Sequence, residues 1–511
     1  MRTMKTNIVV SMLMAIPVFA PSADGATIRV AAGGDLQAAL VNARPGDIVE
    51  LEAGATFTGN YTLPRKEDSS SVIVLRSALR ADAPVGRIAP TDAASWAKLR
   101  SPNGSPAIQT APGAHHWRIE FVEISGRGSG DLVALGDGTS SQNVLSSVPH
   151  DIVIDRCYIH GDGEAGVKRC VALNSATTVI SNSYISDCKA EGEDAQAIAG
   201  WNGPGPFSVL NNYLEGAGEN ILFGGADPAI ANLVPADITI QGNLITKPPA
   251  WRGSRWQIKN LLELKNGRRV VIDGNTLEYN WEAAQSGFAV LFTVRNQSGR
   301  CPWCQVEQVT FAGNLLRHAA AGIEILGTDD NAPSQQTRNV EIRDNILSDI
   351  APKTWGGNGY AFLLLGGPRD IVIDHNTIIQ ENASGIVQVD GPPILGFVFT
   401  NNLARQGEYG VIGSDHAPGN DTLRAFFPAM QVTRNVISEA DPHEYPAGNL
   451  FPSAAEFRKQ FVSYDSGDYH LTPNSSWRRA GTDGLDLGAT KAAGAKPPRE
   501  RDPRIRSGEV R

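Results

Sequence analysis

Aromatic residues make up only 7% of this 511-residue chain, and cysteine and methionine occur five times each. After the first fifty residues no long stretch carries a helical apolar period, so the length favours one elongated repeat architecture over two or three ordinary domains. Positive charge is also in short supply. Lys and Arg total 45 against 54 Asp and Glu, a net charge of -9. That balance argues against a nucleic-acid partner and leaves small molecules, neutral polymers or acidic polymers bound with the help of a cation. Beyond the N-terminus no apolar run is long enough to span a bilayer, so no membrane span is expected.

Cysteine is too scarce and too scattered for a metal cage. Cys301 and Cys304 form a lone CPWC without a second CxxC, which excludes a zinc site, and without the βαβ setting of a thioredoxin-like redox motif. A structural loop disulfide is expected there. Cys157, Cys170 and Cys188 lie in or beside repeat strands and are expected to be small buried residues.

Glycine is abundant, with 53 residues. The first residues place Arg2 and Lys5 ahead of an apolar run from Ile8 to Ala20, followed by small residues. This is the pattern of a secretory signal peptide over residues 1–26, and it implies a secreted or periplasmic protein. Residues 491–511 have almost no apolar content and read as a disordered charged tail.

Between these ends one short phrase recurs: IDRCYIH, ISNSYIS, VLNNYLE, IQGNLIT, IDGNTLE, FAGNLLR, IRDNILS, IDHNTII, FTNNLAR and VTRNVIS. Its fourth residue is Asn at 212, 243, 275, 314, 345, 376, 402 and 435, preceded by Cys157 and Ser183. The spacing runs from about 26 to about 39 residues, too regular for unrelated loops. Each phrase alternates apolar and polar residues and is followed by a Gly-rich turn and a second short apolar strand. Stacked in register about 4.8 Å apart, such units make a parallel β-helix in which the Asn side chains form a hydrogen-bonded column. The expected fold is therefore all-β, a single solenoid over residues 27–490, capped at its start by a short amphipathic helix around Leu36 to Asn42.

The opening GDLQAALVNARPGDIVELEAGATFTGNYTLP and the closing DYHLTPNSSWRRAGTDGLDLGA resemble the entry and exit of secreted right-handed β-helix proteins of the pectate-lyase-like superfamily. Aligning the second strand of successive coils sets ENILFGG, NLLELKN and AVLFTVRN side by side. With Leu262 and Leu264 facing the core, Glu263 and Lys265 face out, and Glu219, Asn220 and Arg295 come from the neighbouring coils. On charge alone the pair reads as a solvated ladder, worth a fraction of a kcal/mol.

An acidic residue closely followed by Lys, with Arg on the next coil, is similar to the site of the chondroitinase B and alginate lyase family. That resemblance implies Lys265 as the base that takes the proton beside a uronate carboxylate. It implies Arg295 as the group that stabilises charge or serves the leaving oxygen. Glu263 and Glu219 would hold a cation, expected to be Ca2+. Only one acidic residue precedes the lysine in this phrase, where the family has two. Trp201 and Asn202, before a Gly/Pro turn, together with Arg169, Lys259 and His318 near turn ends, are candidate contacts for an acidic polysaccharide.

Three further motifs suggest other chemistry. DPHE at 441–444 resembles a motif of β-helix mannuronan epimerases, TDDN at 328–331 offers the paired carboxylates of a hydrolase, and GDGEAGVKR after His160 reads as a solvated loop. The leading expectation is a monomeric, exported polysaccharide lyase acting by β-elimination on a uronic-acid polymer. A β-helix glycoside hydrolase or epimerase, and a non-catalytic glycan-binding or surface protein, are the alternatives.

Overall fold

The computed structural model describes residues 25–78 and 83–490. The expected signal peptide lies outside the described residues except for its last two positions, and the expected tail lies outside them entirely. The chain winds as a right-handed parallel β-helix through three parallel sheets of 14, 12 and 13 strands. Successive coils stack in register, with local shifts at three of the pairings. Ile240 pairs with Ile272, Ile272 with Phe311, Phe311 with Ile342 and Ile342 with Ile373. These side chains are fully buried, and each such burial stabilises by roughly 1.5–3 kcal/mol.

The Asn column is buried and continuous. From Asn212 to Asn435 each Nδ2 donates to the next Oδ1 at 2.9–3.1 Å. Asn435 continues it to Asn449 at 3.0 Å, one member more than the recurring phrase contains. Each amide also serves the backbone: Asn314 Nδ2 donates to the Ile272 carbonyl at 2.9 Å, and Asn314 Oδ1 accepts the Asn275 amide at 2.9 Å. The residue ahead of each column member turns the corner with a positive φ, as at Gly274 (63°), Gly313 (63°) and Asp344 (55°). This left-handed step is why the phrase reads DGN, AGN or RDN there: glycine adopts it freely and Asn or Asp tolerates it.

Both ends of the core are closed. The Leu36–Asn42 helix, capped by Asp35 accepting from the Ala38 amide, buries Leu36 and Leu40. A second helix, Asn420–Phe426, places Leu423 and Phe426 in the main core at the other end. Beyond it, the Ala454–Lys459 helix and an antiparallel hairpin pack Phe457, Phe461 and Trp477 over Ile379, Leu403 and Val436. Among the described residues no helix is long and apolar enough to cross a membrane.

Cys301 and Cys304 are disulfide-bonded, as expected. Cys170 and Cys188 are buried, as expected, and are bonded to each other, a pairing the sequence left open. Adjacent sheets bring their Cα atoms to 5.6 Å, within bridging range. Cys157 remains free and buried, and burial pushes its thiol up to about 12, so it is inert at neutral pH.

Candidate active site

The outward face of the 12-stranded sheet carries a continuous polar strip. It begins with the register column Asp131, Arg169, Gln196, Glu219 and Asn260, one residue from each of five consecutive strands. Arg169 donates to Asp131 Oδ1 at 2.7 Å and to Gln196 Oε1 at 3.1 Å, and Gln196 donates to Glu219 Oε2 at 2.8 Å. Lys259, just ahead of the Asn260–Leu264 strand, pairs with Asp194 and lies 3.8 Å from Glu219 Oε1. Burial pulls the Lys259 pKa down, but the Asp194 bond and the Glu219 charge outweigh it and leave the ammonium raised. Burial, then the charges of Glu263 and Asp194, raise the Glu219 carboxyl above its ordinary range.

Glu263 and, just past the strand's end, Lys265 project to the same side, as the alternation of NLLELKN requires, with Leu262 and Leu264 buried beneath. Lys265 Nζ stands 3.4 Å from Glu263 Oε1, which also accepts from the Thr293 hydroxyl at 3.1 Å. Asn260 donates to the other oxygen of Glu263 at 3.2 Å. The following coil brings Arg295 alongside, its backbone amide donating to the Lys265 carbonyl at 2.9 Å. Arg295 Nη1 is held by Asp329 at 2.6 Å and Asp330 at 2.5 Å. Both carboxylates use that one nitrogen.

Glu263, Glu219 and Arg169 therefore share one sheet, and Lys259, Lys265 and Arg295 lie just beyond the ends of its strands. The strand of Arg169 is three strand spacings, about 14 Å, from that of Lys265. Trp201 lies near Arg169, whose guanidinium sits 4.8 Å from the indole centroid, and donates from Nε1 to the Gly138 carbonyl at 2.9 Å. The two line a cavity of about 330 Å³ with Asp131, Asp137 and Gln142.

Asn202 does not reach this cavity as a ligand group. It is fully buried, donates to the Asp137 and Gln142 carbonyls and accepts from the Ala229 and Ile230 amides, so its amide is consumed in holding loops together. Asn220, likewise buried, donates to the Leu214 and Thr246 carbonyls inside the corner. His318 lies on the 13-stranded sheet, stacked on Tyr279 and bonded to Asp349 at 2.6 Å, apart from the strip.

The decoy motifs resolve into structure. Asp329 and Asp330 of TDDN clamp Arg295 rather than forming an isolated carboxylate pair. Asp441 of DPHE caps its own short turn through the His443 amide. Asp162 accepts the Glu164 and Ala165 amides within its loop.

The calcium ion that the family resemblance implies would meet a partial oxygen set here: Glu219 Oε1 and Asn260 Oδ1, register partners beside Glu263, are buried without a hydrogen-bond partner among the described residues. Ca2+ takes six to eight oxygen ligands. Here Glu219 and Glu263 are engaged by lysines, and among the described residues no group of three or more His, Cys, Asp or Glu side chains is placed to hold a metal. A buried lysine also lies in the neighbourhood. Lys247 is wholly buried behind Glu219, its ammonium donating to the Ala217 and Gly218 carbonyls and to Asn220 Oδ1 at 3.0–3.1 Å.

Two features escaped the reading of the sequence. Lys247 follows IQGNLIT as an ordinary turn residue, and nothing in that phrase signals burial. Glu324 stands in AGIEIL, where the same alternation that turns Glu263 away from the core could have identified it. Its column runs from Glu263 through Leu291 to Glu324.

No protein-family model matches the chain, and no curated protein matches it. Among solved structures it is similar to the PL6 family alginate lyase AlyGC, with a TM-score of 0.53 and 13% identity over 92% of this chain. The match covers 59% of AlyGC, so this chain spans about three fifths of that protein's length. A mannuronic acid specific family 6 lyase from human gut microbiota matches with a TM-score of 0.40 and 13% identity, over 84% of each chain. At such identity the similarity to AlyGC establishes the fold, a parallel β-helix, and nothing finer.

Proposed function

We propose that the protein is an exported polysaccharide lyase that cleaves a uronic-acid polymer by β-elimination. The observation that carries this reading is the outward Lys265, one coil from Arg295, on a strip that also presents Arg169 and Lys259. A proton beside a carboxylate is barely acidic, so the carboxylate must be neutralised before any base can act. The Arg295 guanidinium supplies charge for that purpose, and Lys265, acting as an amine, takes the proton. Arg169, with Trp201 in the adjacent cavity, provides a further contact for an acidic chain. The N-terminal signal pattern and the two disulfides accord with export.

A second reading is favoured by one observation. Glu263 and Glu324 lie two strand spacings apart in one column, about 9.6 Å, near the separation that inverting hydrolases use to flank a glycosidic bond. Incubating the purified protein with alginate, pectate, glucuronan and glycosaminoglycans separates the two readings. Elimination gives the absorbance of an unsaturated product, whereas hydrolysis gives new reducing ends without it.

A further inference from the structure

Glu324 differs from the carboxylates around Lys259, Lys265 and Arg295. Asp131, Asp194, Glu263, Asp329 and Asp330 are each paired with Arg or Lys, and Glu219 accepts from Gln196. Glu324 makes no hydrogen bond or ion pair with any described residue, yet it is only half-exposed. Its strand neighbours Ile323 and Ile325 point into the core, so its own side chain points out. On one side it faces Leu363, its register partner, which packs with Phe288, Leu291 and Tyr360 in an apolar cluster. On the other, across Leu291, stand Glu263 and Lys265. Leu291 thus lies between Glu263 and Glu324 in this column.

We propose that Glu324 is the general acid of the elimination, donating its proton to the glycosidic oxygen as that oxygen leaves. The assignment rests on the lyase reading above. In the step, Lys265 removes the proton from C5, next to the carboxylate, and the C–H electron pair becomes the C4–C5 double bond. The C4–O bond breaks, its electron pair stays on oxygen, and that oxygen receives the Glu324 proton. Lys265 ends as an ammonium and Glu324 as a carboxylate, and exchange with water restores both.

Arg295 cannot fill this role, because a guanidinium does not give up a proton in proteins; it stabilises charge instead. The surroundings of Glu324 suit an acid. Burial and the Glu263 charge push its carboxyl up to about 7, against the opposing pull of Arg295, so a substantial fraction keeps its proton near neutral pH.

The test compares wild type with Glu324→Gln and Glu324→Asp on whichever acidic polymer yields unsaturated product, and on a uronate carrying a nitrophenoxy group at C4. Such a leaving group departs without protonation. Glu324→Gln is expected to lower kcat on the polymer by roughly 100-fold or more while keeping most of the rate on the activated substrate. It should also lose the fall in rate that wild type shows above about pH 7 as Glu324 ionises. Glu324→Asp, which keeps a carboxyl, should recover part of the polymer rate. Equal losses on both substrates, or a wild-type polymer rate in Glu324→Gln, overturn the assignment while leaving the lyase reading intact. If wild type forms no unsaturated product from any acidic polymer, the lyase reading fails and the assignment fails with it.

Discussion

Lys265 owes its position to strand alternation, and its neighbours to the stacking of coils. Leu262 and Leu264 must point inward to fill the core, so Glu263 and Lys265 must point outward. That much is legible in NLLELKN. The partners are not, because the sequence distance between coils is set by turns of variable length. The clamp on Arg295 by Asp329 and Asp330 was hidden for the same reason: TDDN follows a strand one coil later, and only the stacked geometry brings it back. Lys265→Ala should still fold but melt at a lower temperature, since it strands the buried Glu263 carboxylate, and should lower turnover by roughly 100-fold or more. Thermal unfolding and steady-state kinetics on one preparation check both halves. Lys247 is the opposite case. Lys247→Met would leave buried carbonyl oxygens without a donor, and should destabilise by about 1–3 kcal/mol in denaturant titration without directly touching the strip.

At the scale of the element, the coil was the most readable part of the molecule. The Asn phrase marks one corner of every coil from Asn212 to Asn435, and the amide column it predicts is present. The reason is physical: a primary amide has two donors and an acceptor with two lone pairs, enough to bond its equivalent in the next coil and the backbone of both. Asn314→Leu removes a buried member and leaves the Asn275 amide without its acceptor, and should cost about 1–3 kcal/mol. An unchanged unfolding midpoint would count against a structural role for the column. The Cys170–Cys188 bond was not readable, because the two residues belong to different sheets and meet only once the coil closes. Asn202 and His318 show the converse limit. Both sit near turns, where exposure is the usual state, but one is used up by loop carbonyls and amides and the other lies on a different sheet.

Over the whole molecule, the buried charges of the strip set how stability follows pH. The Glu324 carboxyl is raised from 4.5 to about 7, so between those values the folded state holds a proton that the unfolded chain has lost. Stability therefore falls as pH rises through that window, and the raised Glu219 contributes in the same direction. Burial lowers Lys247 from 10.5 to about 7, so from about 7 to 10.5 the unfolded chain binds the extra proton and stability from this group rises with pH. Melting temperatures measured across pH 4 to 8 should show a shallower decline in Glu324→Gln than in wild type.

Chelation tests the charge arrangement of the strip. With Lys259 and Lys265 engaging its carboxylates, EDTA should change neither melting temperature nor rate. A loss of rate restored by added Ca2+ would show that the ion displaces those lysines.

The central claim is that an outward lysine on a β-helix face performs β-elimination, and it is tested most directly by unsaturated product from acidic polysaccharide, measured for wild type and Lys265→Ala side by side. Product from wild type and almost none from a folded Lys265→Ala is the predicted result; product formed equally by both, or by neither on any uronate polymer, would contradict it.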